Sequence, residues 1–353
     1  MHLLPNYATM VVMKKHAIIP IFIPHRGCPH DCVFCNQRKI TAHEASDTPQ
    51  GVSETIDTWL TTLAEVPTVE VAFYGGSFTA LPMEEQSAYL SIAQGYKTRG
   101  QIQRIHLSTR PDYIDQTVLD NLKAYGVDVI ELGVQSFDET VLRSAGRGHG
   151  SACVYQASQL IQAYGFTLGI QLMIGLPGDT METCLYSARE TVRIGPSIAR
   201  LYPTIVIRDT PLYDMCLSGS YDALALEDAV CRTAAMYRIL TGAGINVIRV
   251  GLKSSDILAG EHTVLGDTFH PAFRQLVEGK IAREDICRKL DALPAGSTHI
   301  LCAANPRSFS NLIGHKACNR QYFSAMYPEI QLRYQADPSL PEGVYTIFSG
   351  TIH

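Results

Sequence analysis

The chain has 353 residues, 46% of them hydrophobic and 18% charged, with a formal net charge of −5. That balance supplies enough apolar surface for a sizeable core, which excludes disorder, and the acidic total excludes a surface that is basic throughout. No apolar run reaches the ~18–20 residues of a membrane helix, and the start lacks the basic-apolar-cleavage order of a secretory signal, so a cytoplasmic protein without membrane contact is expected.

The patterned sequence begins just after Met13, an alternative start, and short apolar runs then alternate with longer amphipathic stretches. Ala17 to Ile23 reads as a strand, Val52 to Leu63 as a helix and Val69 to Tyr74 as a strand ending at Gly75-Gly76. A helix over Glu84 to Gln94, a strand over Arg104 to Ser108, a helix over Gln116 to Tyr125 and a strand over Val127 to Val134 follow. Next come a helix at Ala152 to Tyr164 and a strand at Phe166 to Ile174 that runs into Gly175-Leu176-Pro177-Gly178. Helix Met181 to Ile194, strand Ala199 to Ile207, helix Leu226 to Gly242 and the run Asn246 to Val250 complete the alternating part. Strands separated by helices of this length form right-handed βαβ units and a parallel sheet. The six or seven strands fall short of a full eight-unit barrel, leaving an open partial barrel or a doubly wound sheet, either with its ligand at the C-terminal strand ends.

From about Ala272 the pattern changes. Phe273 to Leu290 and Ser310 to Phe323 read as helices, His299 to Cys302 as a short strand, and Ile330 to Tyr334 with Val344 to Phe348 as a closing strand pair. The expected division is therefore 1–271 for the main domain and 272–353 for a smaller α+β appendage. This tail has nine Lys/Arg against seven Asp/Glu, a slight excess on an acidic body that ordinary scatter also explains. Its Arg274, Lys280, Arg283, Arg288, Lys289, Lys316 and Arg320 are candidates for RNA phosphates, with a solvated helix face as the plainer reading.

Seven of the ten cysteines are scattered, as buried small hydrophobes are in a reducing compartment. Cys28, Cys32 and Cys35 are spaced C-x3-C-x2-C on a loop rich in turn formers. Three thiolates there can bind three irons of a [4Fe–4S] cluster and leave the fourth open to a chelating amine and carboxylate. A Cys3His zinc site completed by His25 or His30 is the rival, and cysteines with no ligand the third reading. Zinc ligands usually come as two separated pairs, and no second C-x2-C or H-x3-H follows.

This loop, with Phe34 before its last cysteine and a strand before it, resembles the signature of the radical S-adenosylmethionine (SAM) superfamily across about residues 16–271. The resemblance implies a partial (β/α)6 TIM-like barrel, a cluster on Cys28, Cys32 and Cys35, and reductive cleavage of SAM to methionine and a 5′-deoxyadenosyl radical. It further implies that Phe34 meets adenine through its backbone and that Gly75 and Gly76 approach the methionine amine. Ser77 stands where the family often has Glu. Ser108 and Arg110 match the stretch near ribose and carboxylate, Gln135 the fourth-strand motif, and Gly175 the adenine-side loop. A flavodoxin- or ferredoxin-type reductant is implied as partner.

Within the superfamily, Ser108-Thr109-Arg110-Pro111-Asp112 and Glu131-Leu132-Gly133-Val134-Gln135-Ser136 resemble the radical domain of the Elongator catalytic subunit, a tRNA-modifying enzyme. Val247 to Leu252 and His270 to Phe273 add to this. The wider gap between that subunit's first two cysteines and its acetyltransferase domain have no counterpart here, so the expectation is a short relative with tRNA as candidate partner. An oxygen-independent coproporphyrinogen-oxidase-like enzyme acting on a small molecule is the runner-up, and a zinc-stabilised binding protein the alternative of another class. Tyr202 and Arg208 are further candidates for substrate hydrogen bonds.

Overall fold

In the computed structural model the described residues are 15–23, 28, 32–35, 48–252 and 264–349. In chain order they form β1 (His16–Ile23), α1 (Pro49–Leu60), β2 (Thr68–Gly75), α2 (Met83–Thr98), β3 (Arg104–Thr109), α3 (Gln116–Ala124) and β4 (Val129–Gln135). Next come α4 (Glu139–Ser144), α5 (Ser151–Ala163), β5 (Thr167–Ile174), α6 (Met181–Ile194), β6 (Ile198–Pro203), β7 (Val206–Ile207), α7 (Pro211–Leu217), α8 (Leu226–Gly242) and β8 (Asn246–Val250). The remainder is β9 (Val264–Leu265), α9 (Phe273–Asp291), β10 (His299–Ala304), α10 (Phe309–Ile313), α11 (Cys318–Met326), β11 (Gln331–Ala336) and β12 (Tyr345–Ser349).

Seven strands are hydrogen-bonded in the order β1-β2-β3-β4-β5-β6-β8. Neighbours β1–β2, β2–β3, β3–β4 and β6–β8 run parallel, each joined through helical crossovers. The fold class is the expected α/β one, a partial TIM-like barrel with a small additional sheet.

Two compact units divide these residues: 15–23, 28, 48–134 and 151–170 form the first, and 32–35, 135–150, 171–252 and 264–349 the second. In the first unit the strands bury alternate apolar side chains: Val69, Val71 and Phe73 on β2, Ile105 and Leu107 on β3, and Ile130, Leu132 and Val134 on β4. Its helices start where the sequence supplies caps. The Thr48 side chain accepts from Gly51 N–H ahead of α1, and Asp115 accepts from Val118 N–H ahead of α3. In the second unit Thr180 and Thr183 form a capping box on α6, and Gly195 ends that helix in the left-handed region.

The structure departs from the sequence expectations in four places. The strand expected over Ala199 to Ile207 ends at Pro203, whose imide nitrogen cannot donate to a ladder, and Val206–Ile207 pairs instead with Val264–Leu265. Two short helices, α4 and α7, stand where none was expected; Asp138 and Thr210 cap them, and each is too short to show a helical period. The helix expected over Ser310 to Phe323 is broken at Gly314, with Lys316 and Ala317 in the left-handed region. The expected closing strand pair does not exist as a pair. β11 and β12 lie on opposite sides of β10, parallel and antiparallel to it.

Candidate cofactor site

The cysteine loop is held in the second unit by backbone bonds at both faces of Val33. Its N–H donates to the Ala145 carbonyl at 3.1 Å, and its carbonyl accepts from Leu212 N–H at 2.8 Å. Cys35 N–H closes a turn onto the Cys32 carbonyl at 2.9 Å. Phe34 packs on the buried apolar cluster of Val141, Ala145 and Leu176, as Met173 does, and its backbone stays in the loop. Cys32 is 3% exposed, and the buried Arg147 guanidinium donates to its Sγ at 3.4 Å. A guanidinium is charged at all accessible pH, so a fixed positive charge stands beside this sulfur. Cys28 belongs to the first unit. There, burial, Asp112 and Cys28 together raise the Tyr113 phenol above its ordinary range, against Arg110.

The first unit also carries the residues after β2 and β3. Gly75 has φ +117°, and a Cβ on it would stand 2.3 Å from the Ile23 carbonyl oxygen, so the turn admits only glycine. Gly76 continues the turn, half-buried. Ser77 is buried, shares a 2.7 Å hydrogen bond with Thr109 and accepts from Arg110 N–H at 3.2 Å, so it ties the end of β2 to the end of β3. Thr79 bonds the same Thr109 hydroxyl at 2.6 Å. The Arg110 side chain makes a bidentate fork with Asp112 at 2.8 and 2.9 Å, an ion pair inside its own motif. Ser108 Oγ donates to Glu131 Oε1 at 3.3 Å.

In the second unit, Gln135 adopts φ +71°, unusual for a residue with a side chain, and accepts from Gln171 Nε2 at 3.2 Å. Gly175 has φ +86° and donates to Asp179 at 2.7 Å, while its carbonyl accepts from the Tyr221 hydroxyl at 2.5 Å. A Cβ at Gly175 would meet Leu224 at 2.9 Å. Tyr202 accepts from Arg200 at 3.2 Å, and Arg208 lies 5.9 Å over the Tyr213 ring.

His25 and His30, the candidate zinc ligands, lie outside the described residues. Among the described residues no group of three or more His, Cys, Asp or Glu side chains is already arranged to hold a metal ion. In the first unit three buried inward-facing groups stand in line. His106 lies 3.5 Å from Glu70 and 3.8 Å from Glu131, on three successive strands. Sequence reasoning missed this line, and it missed Arg147 and Tyr221. The signals available were Glu70, His106 and Glu131, one ionisable residue amid the apolar run of each of β2, β3 and β4, and an arginine between Gly146 and Gly148, both with positive φ.

A profile described as the radical SAM superfamily matches residues 22–190, and one for the radical SAM C-terminal domain matches 196–283. The chain belongs to the radical SAM superfamily. As a radical SAM protein it is an enzyme, and the zinc-stabilised binding protein of the sequence analysis is set aside. It is 26% identical over 255 residues to a tRNA uridine(34) acetyltransferase of Methanocaldococcus infernus, covering 61% of this chain and 48% of that protein. Elongator complex protein 3 of Saccharomyces cerevisiae is 31% identical over 192 residues, covering 48% of this chain and 34% of its own length. The radical SAM chain thus spans about half or less of the curated relatives it matches. The structure of Methanocaldococcus infernus Elp3 with an N-terminal deletion superposes with TM-score 0.61 at 20% identity, covering 77% of this chain and 64% of that one, which shows a shared fold.

Proposed function

We propose that this radical SAM enzyme binds a [4Fe–4S] cluster through Cys28, Cys32 and Cys35 and modifies a tRNA uridine. The observation that carries the cluster assignment is the buried Arg147 guanidinium on Cys32, beside a loop whose turn is already closed. None of the ten cysteines is in a disulfide, so the thiols are available as ligands, and a reducing cytoplasm suits them. When bound, such a cluster supplies the electron that splits SAM into methionine and a 5′-deoxyadenosyl radical.

The chain's own residues bind and orient. Gly75 and Gly76 offer backbone at the methionine amine, Phe34 and Gly175 backbone at adenine, and Ser108 and Gln135 polar groups at ribose and carboxylate. Ser77 shapes the turn, and Arg110, already forked to Asp112, holds its motif rather than the ligand. Arg147 balances the negative charge of the cysteine site. Tyr221 positions the Gly175 loop. An external flavodoxin- or ferredoxin-type protein supplies electrons. Residues 1–271 constitute the radical core and 272–353 a smaller α+β domain. No helix among the described residues is long and apolar enough to cross a membrane. The tRNA assignment is supported by the relatives named for tRNA uridine(34) acetylation and for Elongator.

Anaerobically reconstituted protein with SAM and dithionite is expected to release 5′-deoxyadenosine, and Cys32→Ala to release none. Four irons per chain without any 5′-deoxyadenosine would overturn the chemistry. Mass spectrometry of tRNA nucleosides from a deletion strain should show one uridine derivative missing; an intact profile with accumulated coproporphyrinogen would replace tRNA with a porphyrinogen substrate.

A further inference from the structure

Within the second unit, α8, α9 and the first turn of α11 line an open cleft of about 340 Å³. Leu226, Val230 and Leu276 contribute apolar wall, and Lys280, Arg283 and His315 contribute nitrogen donors. Lys280 and Arg283 are three residues apart on α9, which sets them on one side of that helix. Several other basic residues of the tail are committed elsewhere. Arg274 pairs with Glu278 at 2.7 Å, Arg288 with Asp285 at 3.1 Å, and Lys289 donates to the Tyr345 carbonyl.

The nitrogen donors of the cleft are held by a carboxylate, an aromatic ring and an amide. Lys280 is only 22% exposed, with its ammonium 3.5 Å from Glu284. The Arg283 guanidinium lies 4.8 Å over the Tyr322 ring, and Tyr322 is itself 37% exposed. His315 contacts Gln275 at 3.3 Å and packs edge-on against His270. Two acids also line the cleft: Glu227, which is exposed, and Asp267, whose carboxylate accepts from Leu226 N–H at 3.1 Å. Lys280 and Arg283 in a partly apolar cleft, with the exposed Tyr322 ring under the Arg283 guanidinium, match the needs of a single nucleic-acid strand. Its phosphates seek fixed positive charge, and its bases stack on any open π-face.

We propose that this cleft binds RNA, with a phosphodiester on Lys280, Arg283 and His315 and a neighbouring base on Tyr322. This deepens the tRNA reading above and rests on it. The test is filter binding of the full reconstituted chain to unfractionated tRNA at ionic strengths from about 50 to 200 mM. K280Q/R283Q is expected to raise Kd about tenfold and to flatten the log Kd–log salt slope by about two, one for each lost phosphate contact. Y322A is expected to raise Kd a few-fold with the slope unchanged. R193Q/R307Q removes the same charge at side chains that are 76% and 63% exposed, and is expected to leave Kd within about twofold. Circular dichroism and iron content verify that each variant is folded and loaded.

Equal losses in both double variants would overturn the proposal by showing general electrostatics. Wild-type affinity and slope in K280Q/R283Q would overturn it directly. Polyglutamate that competes as well as poly(U) would overturn it in favour of an acidic peptide. Wild-type protein that forms 5′-deoxyadenosine yet binds no RNA would sink this site and the tRNA reading while the radical chemistry stands.

Discussion

A left-handed backbone at a residue with a Cβ costs about 1 kcal/mol, and Gln135 carries that cost at the end of β4. The bond its side chain accepts from Gln171 returns about as much. Glycine would relax the backbone, so the side chain is kept for something other than stability. Gln135→Gly is therefore expected to shift the unfolding free energy by less than about 1 kcal/mol while weakening SAM binding by about tenfold or more. Thermal denaturation and equilibrium dialysis on the loaded protein measure the two; a variant that loses stability but keeps its SAM affinity would make Gln135 a structural residue. Gly75 makes the opposite case. It was legible as a turn, but the reason that only glycine serves, the Ile23 carbonyl 2.3 Å from its missing Cβ, lies on another strand. Arg110 was legible as part of a polar motif, and its fork to Asp112 two residues on was not.

At the scale of elements, one face of β2, β3 and β4 carries buried ionisable side chains where a closed barrel would place branched aliphatic ones. Glu70, His106 and Glu131 are each at most 4% exposed and form one line across the three strands. Burial pulls the Glu70 carboxyl upward, but the hydrogen bond and charge of His106, with His16 and Arg104, outweigh it and hold the group below its ordinary 4.5. A depressed carboxylate pKa stabilises the fold above the unfolded value, and that stability is lost as pH falls through the folded one. Denaturant titrations below pH 4.5 should thus show wild-type stability dropping more steeply than that of Glu70→Gln. Parallel pH curves for the two proteins would mean that folding leaves the Glu70 pKa unchanged. The strands themselves were legible because Val69, Val71 and Phe73 keep a strict period of two. The polar residues between them gave no hint of their partners, since alternation says which face a side chain takes and nothing about what stands across from it.

For the molecule as a whole, ligand binding that requires the folded cysteine loop must stabilise the fold by mass action. Reconstitution with iron and sulfide is expected to raise Tm by several degrees over the iron-free chain, with no rise in Cys32→Ala. An equal rise in that variant would assign the iron to other residues. The Val33 bonds to Ala145 and Leu212 are the route by which loop order is coupled to α4 and α7.

By itself the sequence determined the alternating elements, the loop of Cys28, Cys32 and Cys35, and the placement of Gly75, Ser108, Gln135 and Gly175 just after or at strand ends. These depend on periods of two and 3.6 and on spacings of a few residues, which a chain displays without folding. Only the tertiary structure decided that Arg147 meets Cys32 across 115 residues of chain, that Tyr221 holds Gly175, and that β10 separates β11 from β12. Those choices come from burial and long-range pairing, whose partners are selected by packing in three dimensions and leave no periodic trace along the chain.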